Sequence, residues 1–137
     1  MTKLEEIKEI LHKKNASLVV YYENGNIQEY YQDRIKDIKD ILQENPDALR
    51  GTLVADKVIG KVAASILAFA GVKEIYAEMI SEFAIPVLEE NNIEYKYLKK
   101  VEYIKNKDKT EMCPMENKYK NEKDIHVIYK EMLNIEW

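Results

Sequence analysis

Thr52 to Leu98 reads TLVADKVIGKVAASILAFAGVKEIYAEMISEFAIPVLEENNIEYKYL, and this stretch decides the fold. Thr52 to Ala55 is a short apolar strand. It runs into Asp56–Ala70, a helix that is apolar on nearly every side after its second turn, and such a helix is covered by protein all round. Glu74 to Ile80 has the character of a buried strand, Ser81 to Asn91 of a helix, and Ile93 to Leu98 of another strand, with Val101 to Ile104 a candidate continuation. Strands that alternate with helices in this way build a sheet from crossover units.

Working outward toward the amino end, Leu4, Ile7, Ile10 and Leu11 form one face of a helix over residues 2–14, for which Asn15 is a suitable stop. Ser17 to Glu23 and Ile27 to Tyr31 are strands joined by the turn Asn24-Gly25-Asn26. Asp33 to Asn45 is a second amphipathic helix, ended by Pro46. Toward the carboxyl end, residues 105–112 form a charged loop, Pro114 opens a short helical turn, and Glu122–Leu133 closes the chain as a helix. A hairpin followed by alternating elements predicts a mixed sheet with helices on both faces, a three-layer α/β/α sandwich in a single domain over residues 1–137.

The bulk composition narrows the functions. The 137 residues are 46% hydrophobic and 34% charged, which is globular rather than disordered. A net charge of −4 argues against nucleic-acid binding, because the basic cluster at Lys96, Lys99 and Lys100 is offset by Glu94 and Glu102. The longest apolar run, Val62 to Val72, falls well short of the roughly 20 residues a membrane span needs. Charged Lys3, Glu5 and Glu6 stand where the apolar core of a signal peptide would begin. A single cysteine, Cys113, fits a reducing compartment. The expected location is therefore cytoplasmic, with no membrane or nucleic-acid partner.

In sheets of this kind ligands bind beyond the carboxyl ends of strands, which directs attention to three segments. In the first, Asp56 stands at the expected N-cap, Lys57 and Lys61 share a helical face with Ser65 one turn on, and Gly60 permits a close approach. That arrangement is either an anion site at a helix N-terminus or a simple cap with solvated lysines. In the second, Glu78 lies in the expected buried strand and is either paired with a lysine or a general acid/base; Ser81 reads as another N-cap. In the third, Pro114 suits the first helical position and leaves Cys113 at the N-cap, where the helix dipole favours a thiolate and Glu116 opposes it. The alternative for Cys113 is an inert, partly buried residue. His12 and His126 read as surface residues. No HxxxH, CxxC, Walker or GxGxxG pattern occurs, and neither a metal site nor a cofactor is expected.

The stretches VADKVIGKVAA (54–64), AEMISEFAIPVLEENNIEY (77–95) and CPMEN (113–117) together resemble a small prokaryotic family of unknown function with a cytidine-deaminase-like fold. The resemblance implies a three-layer α/β/α sandwich, and self-association by analogy with deaminase-like domains. It also implies a departure. Zinc deaminases carry His-x-Glu or Cys-x-Glu at one helix start and Pro-Cys-x-x-Cys at the next, whereas the helix starts expected here, at Asp56 and Ser81, offer neither histidine nor cysteine. Three functions stay open: a binding module for a small anionic or nucleotide-like metabolite through Asp56, Lys57, Gly60, Lys61, Ser81 and Glu116; a zinc-independent enzyme using Cys113 and Glu78; and a structural or oligomerisation module.

Overall fold

The computed structural model describes residues 1–32 and 35–133. Its elements run α1 (Lys3–Lys13), β1 (Leu18–Tyr21), β2 (Ile27–Tyr30), α2 (Lys36–Glu44), β3 (Leu53–Ile59), α3 (Lys61–Phe69), β4 (Glu74–Ser81), α4 (Ala84–Glu90), β5 (Glu94–Val101), α5 (Pro114–Tyr119) and α6 (Ile125–Leu133). The five strands form a mixed sheet in the order β2-β1-β3-β4-β5. β1 is antiparallel to both β2 and β3, while β3, β4 and β5 run parallel. The hairpin turns at Gly25, whose φ of 93° suits a residue without a Cβ.

Helices cover both faces of the sheet. On one, Leu4, Ile7 and Leu11 of α1 meet Val19, Leu53, Ala55 and Tyr76. A Thr2–Glu5 capping box starts α1, and Asn15 ends it in the left-handed region at φ 52°. The other face holds the larger core, where α3 is the central helix. Every residue from Lys61 to Leu67 is buried, as its nearly unbroken apolar sequence requires. Ile38 and Leu42 of α2, Val87 and Leu88 of α4, and Ile128, Tyr129 and Leu133 of α6 pack around it. The helix expected over 33–45 begins at Lys36 among the described residues, and positions 33 and 34 lie outside them.

Three boundaries differ from the sequence reading in ways that move candidate residues. β3 does not stop at Ala55; it continues to Ile59, and the helix starts at Lys61. Asp56 and Lys57 are therefore strand residues, Asp56 caps no helix, and Lys57 does not share a helical face with Lys61 and Ser65. The physical reason is two-sided pairing: Asp56 lies between Leu18 of β1 and Ala77 of β4, and Val58 and Ile59 are aligned with Met79 and Ile80. β-branched side chains suit this extension, and Gly60, expected inside the helix, is instead its N-cap. Likewise Ser81 is the last residue of β4 rather than an N-cap, because Ser81 pairs with Val101 and the Glu82 N–H donates to the Val101 carbonyl at 2.9 Å. α4 starts at Ala84 with no side-chain cap. Lastly, β5 runs without interruption from Glu94 to Val101.

Candidate functional site

Residues 104–113 turn back on themselves. Lys105 and Met112 form an isolated antiparallel bridge, and the Cys113 N–H donates to the Ile104 carbonyl at 2.7 Å. This return sets Cys113 at the N-cap of α5 with Pro114 in its first turn, as the sequence predicts. It also directs Glu116 toward the carboxyl ends of β3 and β4.

Glu116 is 2% exposed, and three donors converge on its carboxylate. Oε1 accepts from the backbone N–H of Lys61 at 2.6 Å and from Ser81 Oγ at 3.2 Å. Oε2 accepts from the backbone N–H of Ile104 at 2.6 Å. The Lys61 N–H belongs to the first turn of α3 and has no intrahelical acceptor, so the carboxylate satisfies a group the helix leaves open. Gly60 makes the approach possible. A Cβ there would lie 2.8 Å from Glu116 Oε1 and 2.9 Å from Ile104 Cγ1, inside contact distance of both. The close approach expected at Gly60 is thus made by a carboxylate of this chain.

Lys61 completes the arrangement from the other side. Its Nζ donates to the Lys120 carbonyl at 3.0 Å and to the Glu122 carbonyl, just beyond α5. Removal from water lowers its pKa, since the charged form is the one that loses hydration. Together Gly60, Lys61, Ser81 and Glu116 form a clasp that holds α5 across the ends of the two central parallel strands. Ser65 lies further along α3, fully buried, with its hydroxyl unpaired among the described residues.

The other candidates lie elsewhere. Lys57 Nζ reaches out to Asn15 Oδ1. Glu78 is not enclosed: its side chain is 38% exposed, on the α1 side of the sheet, 3.6 Å from Nε2 of His12. His12 is exposed, as the sequence predicts, and packs edge-on against Tyr76, whereas His126 is half-buried and stacks on Phe69 at 4.9 Å between ring centroids. Cys113 is partly exposed and its side chain makes no cap hydrogen bond. Asp56 is the unusual group. It is 6% exposed and accepts from the Val58 N–H at 3.2 Å. Burial pushes its pKa up to about 8, against the opposing pull of backbone N–H groups, and the nearby Asp37 adds to the rise.

Asp37 leads to a feature that the sequence reading missed. Between the β1–β2 hairpin and α2 lies a cleft of about 480 Å³. One wall carries Tyr22 and Tyr30, whose hydroxyls are 2.6 Å apart; the other carries Asp37, Asp40 and Glu44 of α2. Gln32 ties the acidic wall together, donating from Nε2 to Asp37 Oδ1 at 2.7 Å and Asp40 Oδ2 at 3.1 Å, and from its backbone to Asp37 Oδ2 at 3.0 Å. Desolvation, then the hydrogen bond to Tyr30, raises the pKa of Tyr22 far above the ordinary range, so the Tyr22 hydroxyl keeps its proton. No lysine or arginine lines the cleft among the described residues. The signal was present in the sequence as i, i+3, i+7 carboxylates on one helix opposite two tyrosines of one hairpin.

Among the described residues no group of three histidine, cysteine or acidic side chains is arranged to hold a metal ion, and no helix is long and apolar enough to cross a membrane. A family model described as TM1506, domain of unknown function (DUF1893), matches residues 6–135. The chain is similar to a DUF1893 family protein from Thermotoga maritima whose crystal structure is known. The two are 30% identical, with 98% of this chain and 91% of that one covered and a TM-score of 0.87. No curated protein matches the chain.

Proposed function

The chain belongs to the DUF1893 family, and from its geometry we propose that it is a small-molecule-binding module on a cytidine-deaminase-like scaffold, with its ligand in the cleft between the β1–β2 hairpin and α2. The scaffold reading is supported by the sheet order β2-β1-β3-β4-β5, an antiparallel hairpin edge joined to parallel crossover units. The donor set does not fit the zinc of working deaminases. Gly60-Lys61 and Phe83-Ala84 open α3 and α4, and the chain's His12, Cys113 and His126 belong to three separate elements.

The observation that carries the binding reading is the cleft itself. Its volume lies within the range of small-ligand sites, and it sets two phenols opposite three carboxylates. Such walls accept hydrogen bonds from amines and hydroxyls and repel phosphate. The ligand is therefore neutral or amine-bearing, such as a nucleoside or an aliphatic amine. The anionic class considered from the sequence loses its support, because Lys61 is held by two carbonyls and Lys57 by Asn15.

A thermal-shift and calorimetry panel tests this with cytidine, adenosine, putrescine and spermidine against the matching nucleoside monophosphates. Saturation by one of the unphosphorylated compounds raises the melting temperature, and Asp40→Asn or Tyr22→Phe weakens that effect at least tenfold in Kd. Binding confined to the phosphorylated compounds, binding indifferent to both substitutions, or no binding across the panel overturns the proposal.

A further inference from the structure

The two edges of the sheet are unequal. β2 is a four-residue strand, whereas β5 spans the eight residues Glu94–Val101 and, among the described residues, pairs with β4 alone. Six of those eight are exposed, among them Tyr97 at 42% and Leu98 at 65%. A long exposed edge offers a row of unpaired backbone donors and acceptors to another strand. Lys96, Lys99 and Lys100 would ordinarily deter such pairing. Their spacing here instead selects one partner and one register.

We propose that β5 pairs with β5 of a second copy of this chain, antiparallel about a two-fold axis at Tyr97, joining the two sheets into one.

Symmetry restricts the choices. Directly opposed residues in an antiparallel pair project to the same face, and a two-fold axis perpendicular to the sheet preserves faces. The axis must therefore pass beside a residue that opposes its own copy. Centred on Lys96, the pairing sets lysine against lysine on the axis. Centred on Leu98, it sets Lys96 against Lys100 twice and Glu94 against Glu102 twice. Centred on Tyr97, it sets Glu94 against Lys100 and Tyr95 against Lys99, each twice, with Tyr97 facing its copy. Opposite charges directly across a strand pair stabilise it and like charges destabilise it. A Tyr95-centred pairing also sets Glu94 against Lys96 but engages only residues 94–96 of the strand, so the Tyr97 register is the complementary one that pairs most of β5.

Within the single chain the same residues are poorly matched. Glu94 lies beside Glu74 in the parallel β4–β5 register, and after burial it is the hydrogen bond and like charge of Glu94 that raise the pKa of Glu74. Lys73 and Lys96 of the same chain offset that rise only in part, and a Lys100 from the second copy adds a countercharge to Glu94. Tyr95 and Tyr97 stand stacked at 6.4 Å between centroids, an aromatic surface ready to receive the Lys99 stem and the symmetry-related Tyr97.

Sedimentation and light scattering of the full chain, with the mass compared with twice 16.1 kDa, provide the first test, and cysteine crosslinking provides the second. The dimer is expected to form at micromolar to tens of micromolar concentration and to weaken as salt is added. Lys100→Glu or Glu94→Lys alone raises the dimer Kd roughly ten- to hundredfold, and the double exchange restores it. In a Cys113→Ser background, Tyr97→Cys oxidises to a disulfide dimer, because opposed residues lie within disulfide reach. Leu98→Cys does not, since its copy is displaced by two positions. A monomer at several hundred micromolar, a dimer indifferent to both charge reversals, or crosslinking of Leu98→Cys in preference to Tyr97→Cys overturns the proposal.

Discussion

Glu116→Gln is the most informative substitution, because it keeps the size of the side chain and changes only what it can accept. The carboxylate takes three hydrogen bonds, two of them from backbone N–H groups at 2.6 Å. Glutamine has one acceptor oxygen and a donor NH2, so either the Lys61 or the Ile104 N–H must face another donor. A buried donor left unsatisfied costs about 1–3 kcal/mol, and replacing a charge-assisted bond by a neutral one removes roughly 1 kcal/mol more. The expected loss is about 2–4 kcal/mol. With a urea m-value of about 2 kcal/mol/M, the midpoint falls by roughly 1–2 M. Glu116→Ala orphans all three donors and costs more, about 4–6 kcal/mol. A double-mutant cycle with Gly60→Ala isolates the contact. The added Cβ meets Oε1 at 2.8 Å when glutamate is present, so its cost drops by about 1 kcal/mol or more in the Glu116→Ala background. A Glu116→Gln midpoint within about 0.3 M of the parent, or a Gly60→Ala penalty equal in both backgrounds, would refute the clasp as a source of stability.

Asp56 gives the stability a pH dependence. Unfolded, an aspartate loses its proton near pH 4, whereas in the fold Asp56 holds it to about pH 8. The fold is therefore stabilised fully below the unfolded pKa and loses that contribution as pH rises toward 8, by a ceiling of about 5 kcal/mol. Asp56→Asn is expected to be more stable than the parent at pH 7 and to flatten the profile between pH 4 and 8; an unchanged slope in urea titrations at stepped pH contradicts the assignment. Lys61→Met keeps the buried stem but leaves the Lys120 and Glu122 carbonyls without their donor, costing about 1–3 kcal/mol, and hydrogen exchange should rise around α5 before the sheet is affected. Cys113→Ser, which removes no hydrogen bond of the side chain, should change stability by less than about 1 kcal/mol in the same denaturation assay.

The candidate site was legible only in part. The ADK-x-x-GK and CPME stretches do meet, but through Gly60, Lys61 and Glu116 rather than through Asp56, Lys57 and Cys113. Reading Asp56 as a cap followed from treating position 56 as a helix start; once β3 continues by three residues beyond it, strand alternation and pairing put Asp56 under cover near Asp37 and leave Lys57 at Asn15. Glu78 was expected inside a buried strand, yet α1 packs mainly on β1 and β3, so that side of β4 remains half-exposed near His12. The tyrosine and carboxylate cleft needed the hairpin and α2 placed against each other, which no local pattern in either segment records.

By itself the sequence determined what depends on neighbours a few residues away: the amphipathic face of α1 and its end at Asn15, the turn at Gly25, the enclosure of α3, and Cys113-Pro114 as a helix start. These follow from periodicity, turn chemistry and capping, which act over one or two turns of chain. Only the tertiary structure decided where β3 ends, because the extension depends on partners in β1 and β4 on either side. It alone decided the use of Glu116, whose donors stand 55, 35 and 12 residues away in the chain. A carboxylate's role is set by the donors that surround it after folding, and no local pattern records which donors those are.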